Sequence, residues 1–195
     1  MLVNEIFGPT MQGEGKSQGR PVIFLRLASC NLSCIWCDTP YTWNWLGTKF
    51  AHPQKYDKAK EVHVMSVDGV RAAITAYELK SLVISGGEPL LQQKELIQLC
   101  DQLRGWWIEI ETNGTIVPDA RLLKSVSQVN CSPKLNNSEC KLEVPNALRA
   151  LSASNKVNFK FVVSTKEMID EVIDYVTRYK MREVYLMPEG RIVEA

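Results

Sequence analysis

An α/β protein with a parallel β-sheet is predicted by three observations. Six short runs rich in Val, Ile and Phe, near 21 to 27, 81 to 85, 106 to 111, 127 to 131, 157 to 163 and 183 to 187, read as strands. Helical patterns lie between several of them, the alternation that a parallel sheet with crossover helices requires. The clusters of Cys, Gly, Asn, Ser and Pro follow strand ends, where ligands gather in α/β sheets.

The first of these strands is Pro21 to Leu27, followed directly by a cysteine-rich loop. The apolar run Leu82-Val-Ile84 carries the second into Ser85-Gly-Gly-Glu-Pro89. In Trp107-Ile-Glu-Ile-Glu111, Ile108 and Ile110 share one face while Glu109 and Glu111 share the other. On an interior strand, two such carboxylates need a ligand or basic partners; on an edge strand they are solvated. One helix begins near Ser66 and another runs from about Lys94 to Leu103. A third spans Ser164 to Tyr179, where Ser164 and Glu167 fit a capping box and Ile169, Val172, Ile173 and Val176 form an apolar stripe. The segment 41 to 66 breaks the repeat: Tyr41-Thr-Trp-Asn-Trp-Leu-Gly47 is aromatic, and Lys49 to His63 is polar and charged, with Pro53. It reads as an insertion capping the site or as a long surface connection.

The 195 residues suffice for one domain with a substantial core, and 45% hydrophobic content with a net charge of +1 describes an ordinary soluble protein. Lys and Arg are scattered, so no nucleic-acid groove is expected. No apolar run approaches transmembrane length, and there is no internal repeat. Met1 to Phe7 does not resemble a signal peptide, which places the thiols in a reducing cytoplasm.

Cys30, Cys34 and Cys37 form a Cys-x3-Cys-x2-Cys array. Three thiolates on one loop can hold three irons of a four-iron cluster and leave the fourth open for chemistry. Spacing alone leaves structural zinc and inert thiols as rivals. Zinc needs a fourth donor, and the nearest candidate, His52, has no matching partner motif. Cys100, Cys131 and Cys140 lack the spacing and read as core or incidental thiols. The glycines of Ser85-Gly-Gly-Glu-Pro89 stand where a ligand can lie against bare backbone.

The cysteine array joined to Ser-Gly-Gly-Glu-Pro resembles the radical S-adenosylmethionine superfamily. Glu5-Ile-Phe-Gly-Pro-Thr-Met-Gln-Gly-Glu-Gly15, Cys37-Asp-Thr39, Glu111-Thr-Asn-Gly114, Ser132-Pro-Lys134 and Leu186-Met-Pro-Glu-Gly190 are similar, in order, to the 7-carboxy-7-deazaguanine synthase family. That resemblance implies an incomplete parallel β/α barrel of about six strands with cluster and ligands at one rim. It also implies conversion of 6-carboxy-5,6,7,8-tetrahydropterin to 7-carboxy-7-deazaguanine with loss of ammonia, in deazapurine synthesis for queuosine. The implied cofactors are a 4Fe-4S cluster, S-adenosylmethionine and Mg2+; the implied partners are the pterin, a reductant such as flavodoxin or ferredoxin, and a second copy in a homodimer.

Carried over residue by residue, the resemblance implies that Cys30, Cys34 and Cys37 ligate the cluster and that the Thr39 hydroxyl ligates magnesium. Trp36, Cys37, Asp38, Gly86, Gly87, Ser132, Pro133, Lys134, Met187, Pro188, Glu189 and Gly190 match cofactor-lining segments; packing is the rival reading for Trp36 and Met187. Met11, Gln12, Gly13, Glu14, Arg26 and Ser85 match substrate positions, with a salt bridge inside the barrel as the rival for Arg26. Relatives continue past the equivalent of Arg191 through a helix and a strand that help close the substrate pocket, so the resemblance also implies a shortened C-terminus here. A glycyl-radical activating enzyme is the alternative within the superfamily, and a zinc-stabilised binding domain the alternative outside it.

Overall fold

The structure, a computed structural model, describes residues 1–50 and 52–190. Its strands are β1 (Leu2–Met11), β2 (Pro21–Leu27), β3 (His63–Val64), β4 (Ser81–Gly86), β5 (Trp107–Thr112), β6 (Gln128–Cys131), β7 (Val157–Val163) and β8 (Val184–Pro188). They form one open sheet in the order β3-β1-β2-β4-β5-β6-β7-β8. From β2 to β8 every pairing is parallel, so the six strands expected from sequence are the parallel part of the sheet. The sequence reading omits β1 and β3, which add antiparallel to the β2 edge. β1 lacks strand patterning because Gly8-Pro9 interrupts it, and its pairing with β2 shifts register between Phe7 and Thr10 to pass them.

The helices are α1 (Lys58–Glu61), α2 (Val67–Thr75), α3 (Gln93–Gln102), α4 (Ala120–Ser125), α5 (Pro145–Ser152) and α6 (Met168–Tyr179). The Ser66 hydroxyl accepts from Gly69 N–H and caps α2 as its position suggests. Leu25, Leu27, Leu82, Ile84, Ile108 and Ile110 pack with Val70 and Ile74 of α2 and Leu96 and Leu99 of α3 in one fully enclosed core. At α6 the expected capping box does not form. The helix starts at Met168, no side chain caps it, and the Ser164 hydroxyl donates instead to Met168 Sδ at 3.3 Å. Half of the expected stripe holds: Val172 is buried and Val176 packs against the core, while Ile169 and Ile173 are 38% and 56% exposed. Tyr175 and Tyr179 complete the buried face, the Tyr175 ring packing edge-on against Phe161 at 5.8 Å.

The sheet's second face is polar. Strand alternation puts Glu109 and Glu111 of β5, Asn130 of β6 and Asn158 and Lys160 of β7 opposite the apolar set, and register aligns Glu111 with Asn130 and Asn130 with Asn158. Apolar side chains hold the helices on one face, leaving the other free for chemistry.

Candidate active site

The cysteine loop follows β2, Gly86 and Gly87 end β4, Thr112 and Asn113 end β5, Ser132 and Lys134 follow β6, and Met187 to Gly190 end β8. All of them line one cavity of about 410 Å³ at the carboxyl rim of the sheet. The floor is the polar sheet face, with Gln12, Glu14, Arg26, Ser85, Glu111 and Lys160. The cysteine loop supplies the facing wall through Cys30, Cys34, Trp36, Cys37, Asp38 and Thr39.

Each of the three array sulfurs meets a hydrogen-bond donor. Leu32 N–H donates to Cys30 Sγ at 3.4 Å, Trp43 Nε1–H donates to Cys37 Sγ at 3.3 Å, and the Cys140 thiol donates to Cys34 Sγ at 3.2 Å. Donors on sulfur suit thiolates that ligate an iron–sulfur cluster, whose charge and potential they tune. Cys140 is thus no incidental thiol: the chain brings it against a member of the array from 106 residues away. Cys100 and Cys131 are buried core thiols, as expected. Burial pushes the Cys30 thiol up to about 12 and raises Cys34 as well, so metal binding here must displace protons. Among the described residues no group of three or more His, Cys, Asp and Glu is placed to hold a single metal ion. His52 instead packs edge-on against Trp43 at 5.9 Å. The segment after residue 41 therefore backs the cysteine loop through Trp43, which is 3% exposed.

Further wall features fit a polar cofactor. Trp36 Nε1 is buried without a protein partner, and the Lys134 ammonium stands 5.2 Å from the Trp36 ring. Gly87 N–H is spent on the Leu27 carbonyl at 3.0 Å, so what this turn can offer an ammonium group is its carbonyl oxygens. The glycines answer first to packing, a role the sequence reading does not give them. A Cβ on Gly86 would lie 2.1 Å from Leu27 O, and one on Gly87 would lie 2.0 Å from Ser29 O. Glu88, fully buried behind them, accepts from Leu90 N–H, Asn113 N–H and the Thr112 hydroxyl, tying the β4 and β5 exits together.

On the floor, Ser85 donates to Glu111 at 2.6 Å, Gln12 Nε2 donates to Glu109 at 2.6 Å and to Glu111 at 3.1 Å, and Glu14 pairs with Lys160. Arg26 lines the cavity, and its Nε bonds the exposed Glu5 at 2.7 Å, so the ion pair lies at the protein surface and not inside the barrel. Met11, Gly13 and Pro133 do not line the cavity. Around Gln12 the chain alternates, so Gln12 points in at 2% exposure while Met11 points out at 56% and Gly13 is exposed with it; Pro133 is buried behind the rim. Lys160 is absent from the sequence reading, although a lysine amid the apolar Val157 to Val163 run demands a buried anionic partner.

Glu109, like Glu88, is a fully buried carboxyl. Burial pushes it up to about 7, against hydrogen bonds from Ser17 and Gln12 that pull it down. A carboxyl raised above its unfolded value stabilises the fold fully at pH below that unfolded value, and this contribution is lost as pH rises through about 7. Wild type should therefore lose about 3 kcal/mol relative to Glu109→Gln between roughly pH 4.5 and 8. Urea unfolding of both proteins across that range checks it; a stability difference independent of pH refutes it.

The Radical SAM superfamily profile matches residues 26–187. The 7-carboxy-7-deazaguanine synthase of Pyrobaculum aerophilum is 35% identical over 190 residues, covering 95% of this chain and 78% of that protein. The Escherichia coli enzyme of the same name is 33% identical, covering 95% of this chain and 83% of its own length. The crystal structure of QueE from Escherichia coli superposes with a TM-score of 0.72 at 28% identity, over 99% of this chain and 85% of that one. The match runs over nearly the whole chain in sequence and in fold, and the chain belongs to the 7-carboxy-7-deazaguanine synthase family of the radical SAM superfamily.

Proposed function

We propose that the chain converts 6-carboxy-5,6,7,8-tetrahydropterin to 7-carboxy-7-deazaguanine with release of ammonia, in deazapurine biosynthesis. The observation that carries this is one rim cavity whose cysteine wall faces a floor of amide, carboxylate, guanidinium and ammonium groups. Membership of the family supports the reaction, and the donors on all three array sulfurs support a cluster at Cys30, Cys34 and Cys37.

When bound, the 4Fe-4S cluster and S-adenosylmethionine supply a 5′-deoxyadenosyl radical able to take a hydrogen atom from the substrate. The chain's own residues place and shield that event. Trp36, Asp38, Gly87, Ser132 and Lys134, with Met187 to Gly190, surround the cofactor, and Trp36 Nε1 and the Lys134 ammonium are donors for its polar groups. Trp43 and Leu32 keep water from the cysteine wall. Gln12 and Glu14 accept from the donor edge of the pterin ring, Ser85 contacts it, and Arg26 pairs with its carboxylate. The Thr39 hydroxyl, which lines the cavity, would help hold a magnesium ion, an ion that takes oxygen donors and would supply positive charge for the substrate carboxylate. Residues 1 to 195 act as one domain in which the segment 41 to 66 is an insertion behind the cysteine loop. The enzyme works in the cytoplasm as a homodimer and takes its electron from flavodoxin or ferredoxin.

The test is anaerobic reconstitution with iron and sulfide, then incubation with reductant, S-adenosylmethionine, magnesium and 6-carboxytetrahydropterin, following 7-carboxy-7-deazaguanine by mass spectrometry. Product formation supports the proposal. Cleavage of S-adenosylmethionine with no product would show that the floor is built for another substrate.

A further inference from the structure

Below the cavity floor, Glu109 is fully buried and does not line the cavity. It nevertheless gathers four donors from three parts of the chain. Gln12 Nε2 and Asn130 Nδ2 bond Oε1 at 2.6 and 2.7 Å, Gln128 Nε2 bonds Oε2 at 2.8 Å, and the Ser17 hydroxyl bonds Oε2 as well. No lysine or arginine makes a hydrogen bond to it among the described residues.

One of those four donors, Gln12, is also part of the floor. A glutamine amide fits its site in either of two orientations, chosen by its neighbours. Here the NH2 group lies between Glu109 and Glu111; once Glu109 is ionised, above about pH 7, both are acceptors that use its two hydrogens. Only Oε1 retains capacity for a ligand, beyond a long contact from Glu14 N–H at 3.3 Å. Gln12 itself is therefore an acceptor to a ligand, with the Glu111 carboxylate and the Lys160-paired Glu14 carboxylate alongside. Such a wall suits a ring edge with adjacent N–H donors and leaves unpaired lone pairs against an edge without them.

We propose that Glu109 is a positioning residue that locks Gln12 as a hydrogen-bond acceptor and thereby makes the site selective for a ligand edge bearing N–H donors. The inference rests on Gln12 being a substrate contact in the proposed function. In Glu109→Gln the new amide can place its own NH2 toward Gln12, and Gln12 is then free to turn its NH2 to the ligand.

Calorimetric binding of 6-carboxypterin and of its analogue lacking the 2-amino group, at about pH 8 where Glu109 is ionised, tests this without turnover. Wild type should prefer the amino compound by about 10- to 100-fold, and Glu109→Gln should lose about tenfold of that preference while S-adenosylmethionine binds the reconstituted protein within about threefold of wild type. The exchange variant Glu109→Gln/Gln12→Glu restores an acceptor at position 12 and should recover most of the preference. It also answers the question if the single variant does not fold. Unchanged preference in Glu109→Gln, or no recovery in the exchange variant, overturns the proposal. Gln12→Ala separates the two levels: if it leaves affinity for 6-carboxypterin unaltered, the substrate reading of Gln12 fails; if it weakens binding while Glu109→Gln keeps full selectivity, only the role of Glu109 fails.

Discussion

Serine at any one of positions 30, 34 or 37 is expected to abolish S-adenosylmethionine cleavage, whereas Cys100→Ser and Cys140→Ser should leave a loaded, active protein. A hydroxyl is a hard and weakly acidic donor where iron needs a soft thiolate, and with three protein ligands the loss of one leaves two. Nothing nearby can substitute for Cys30 or Cys37, because the other described thiols are buried elsewhere or lie against Cys34. Cys140 is the instructive control. Its sulfur stands 3.2 Å from that of Cys34, the sulfur proposed as a ligand, and its place outside the Cys-x3-Cys-x2-Cys array assigns it to hydrogen bonding in that proposal. Cys140→Ser should therefore keep its iron and sulfide while the cluster potential moves, because the hydrogen bond to Cys34 Sγ has changed. Iron and sulfide analysis, visible absorption and cofactor cleavage on all five variants decide the matter. Cluster loss in Cys140→Ser together with retention in Cys34→Ser would reassign the third ligand.

The sequence shows its parallel strands clearly because each is a short, β-branched run closed by Gly, Asn, Ser or Pro, and all six lie at the expected places. β1 is obscured by Gly8-Pro9, and the start of α6 is ambiguous because the Ser164 and Glu167 pairing is only one of two local options. The rim is equally legible, since the chemistry-bearing residues sit directly after strands. Pairing across the barrel is not. Gln12 with Glu109, Lys160 with Glu14, and Cys140 with Cys34 join residues about 100 or more apart, and only the folded sheet and the loops at its carboxyl rim bring them together. The carboxylates of β5 illustrate the limit. Alternation correctly puts Glu109 and Glu111 on one interior face, but the partners of Glu109 are four neutral donors.

The glycines of the β4 exit carry the second large effect, and here fold and site are the same object. Gly86 has a φ of +124°, and the Cβ of an alanine there would stand 2.1 Å from Leu27 O; at Gly87 it would stand 2.0 Å from Ser29 O. Neither obstacle is a flexible side chain that can swing away. Both carbonyls are held, since Leu27 O accepts from Gly87 N–H at 3.0 Å and Ser29 O accepts from Glu88 N–H at 2.9 Å. Relief requires β4 to part from the β2 exit, at the cost of those two bonds, at about 1 kcal/mol each, and of overpacking at about 1–3 kcal/mol. Gly86→Ala and Gly87→Ala should each lose about 4 kcal/mol, a large share of a typical domain's stability. Gly105→Ala is the matched control, with a φ of +83° and nothing within 4 Å of its Cβ, and should lose only about 1 kcal/mol. Because Ser29 leads directly into Cys30, whatever stays folded in Gly87→Ala should also load less iron than Gly105→Ala. Equal denaturation midpoints and equal iron in the two variants would mean that the β2 exit yields freely, and the cysteine wall would then owe its position to something other than this contact.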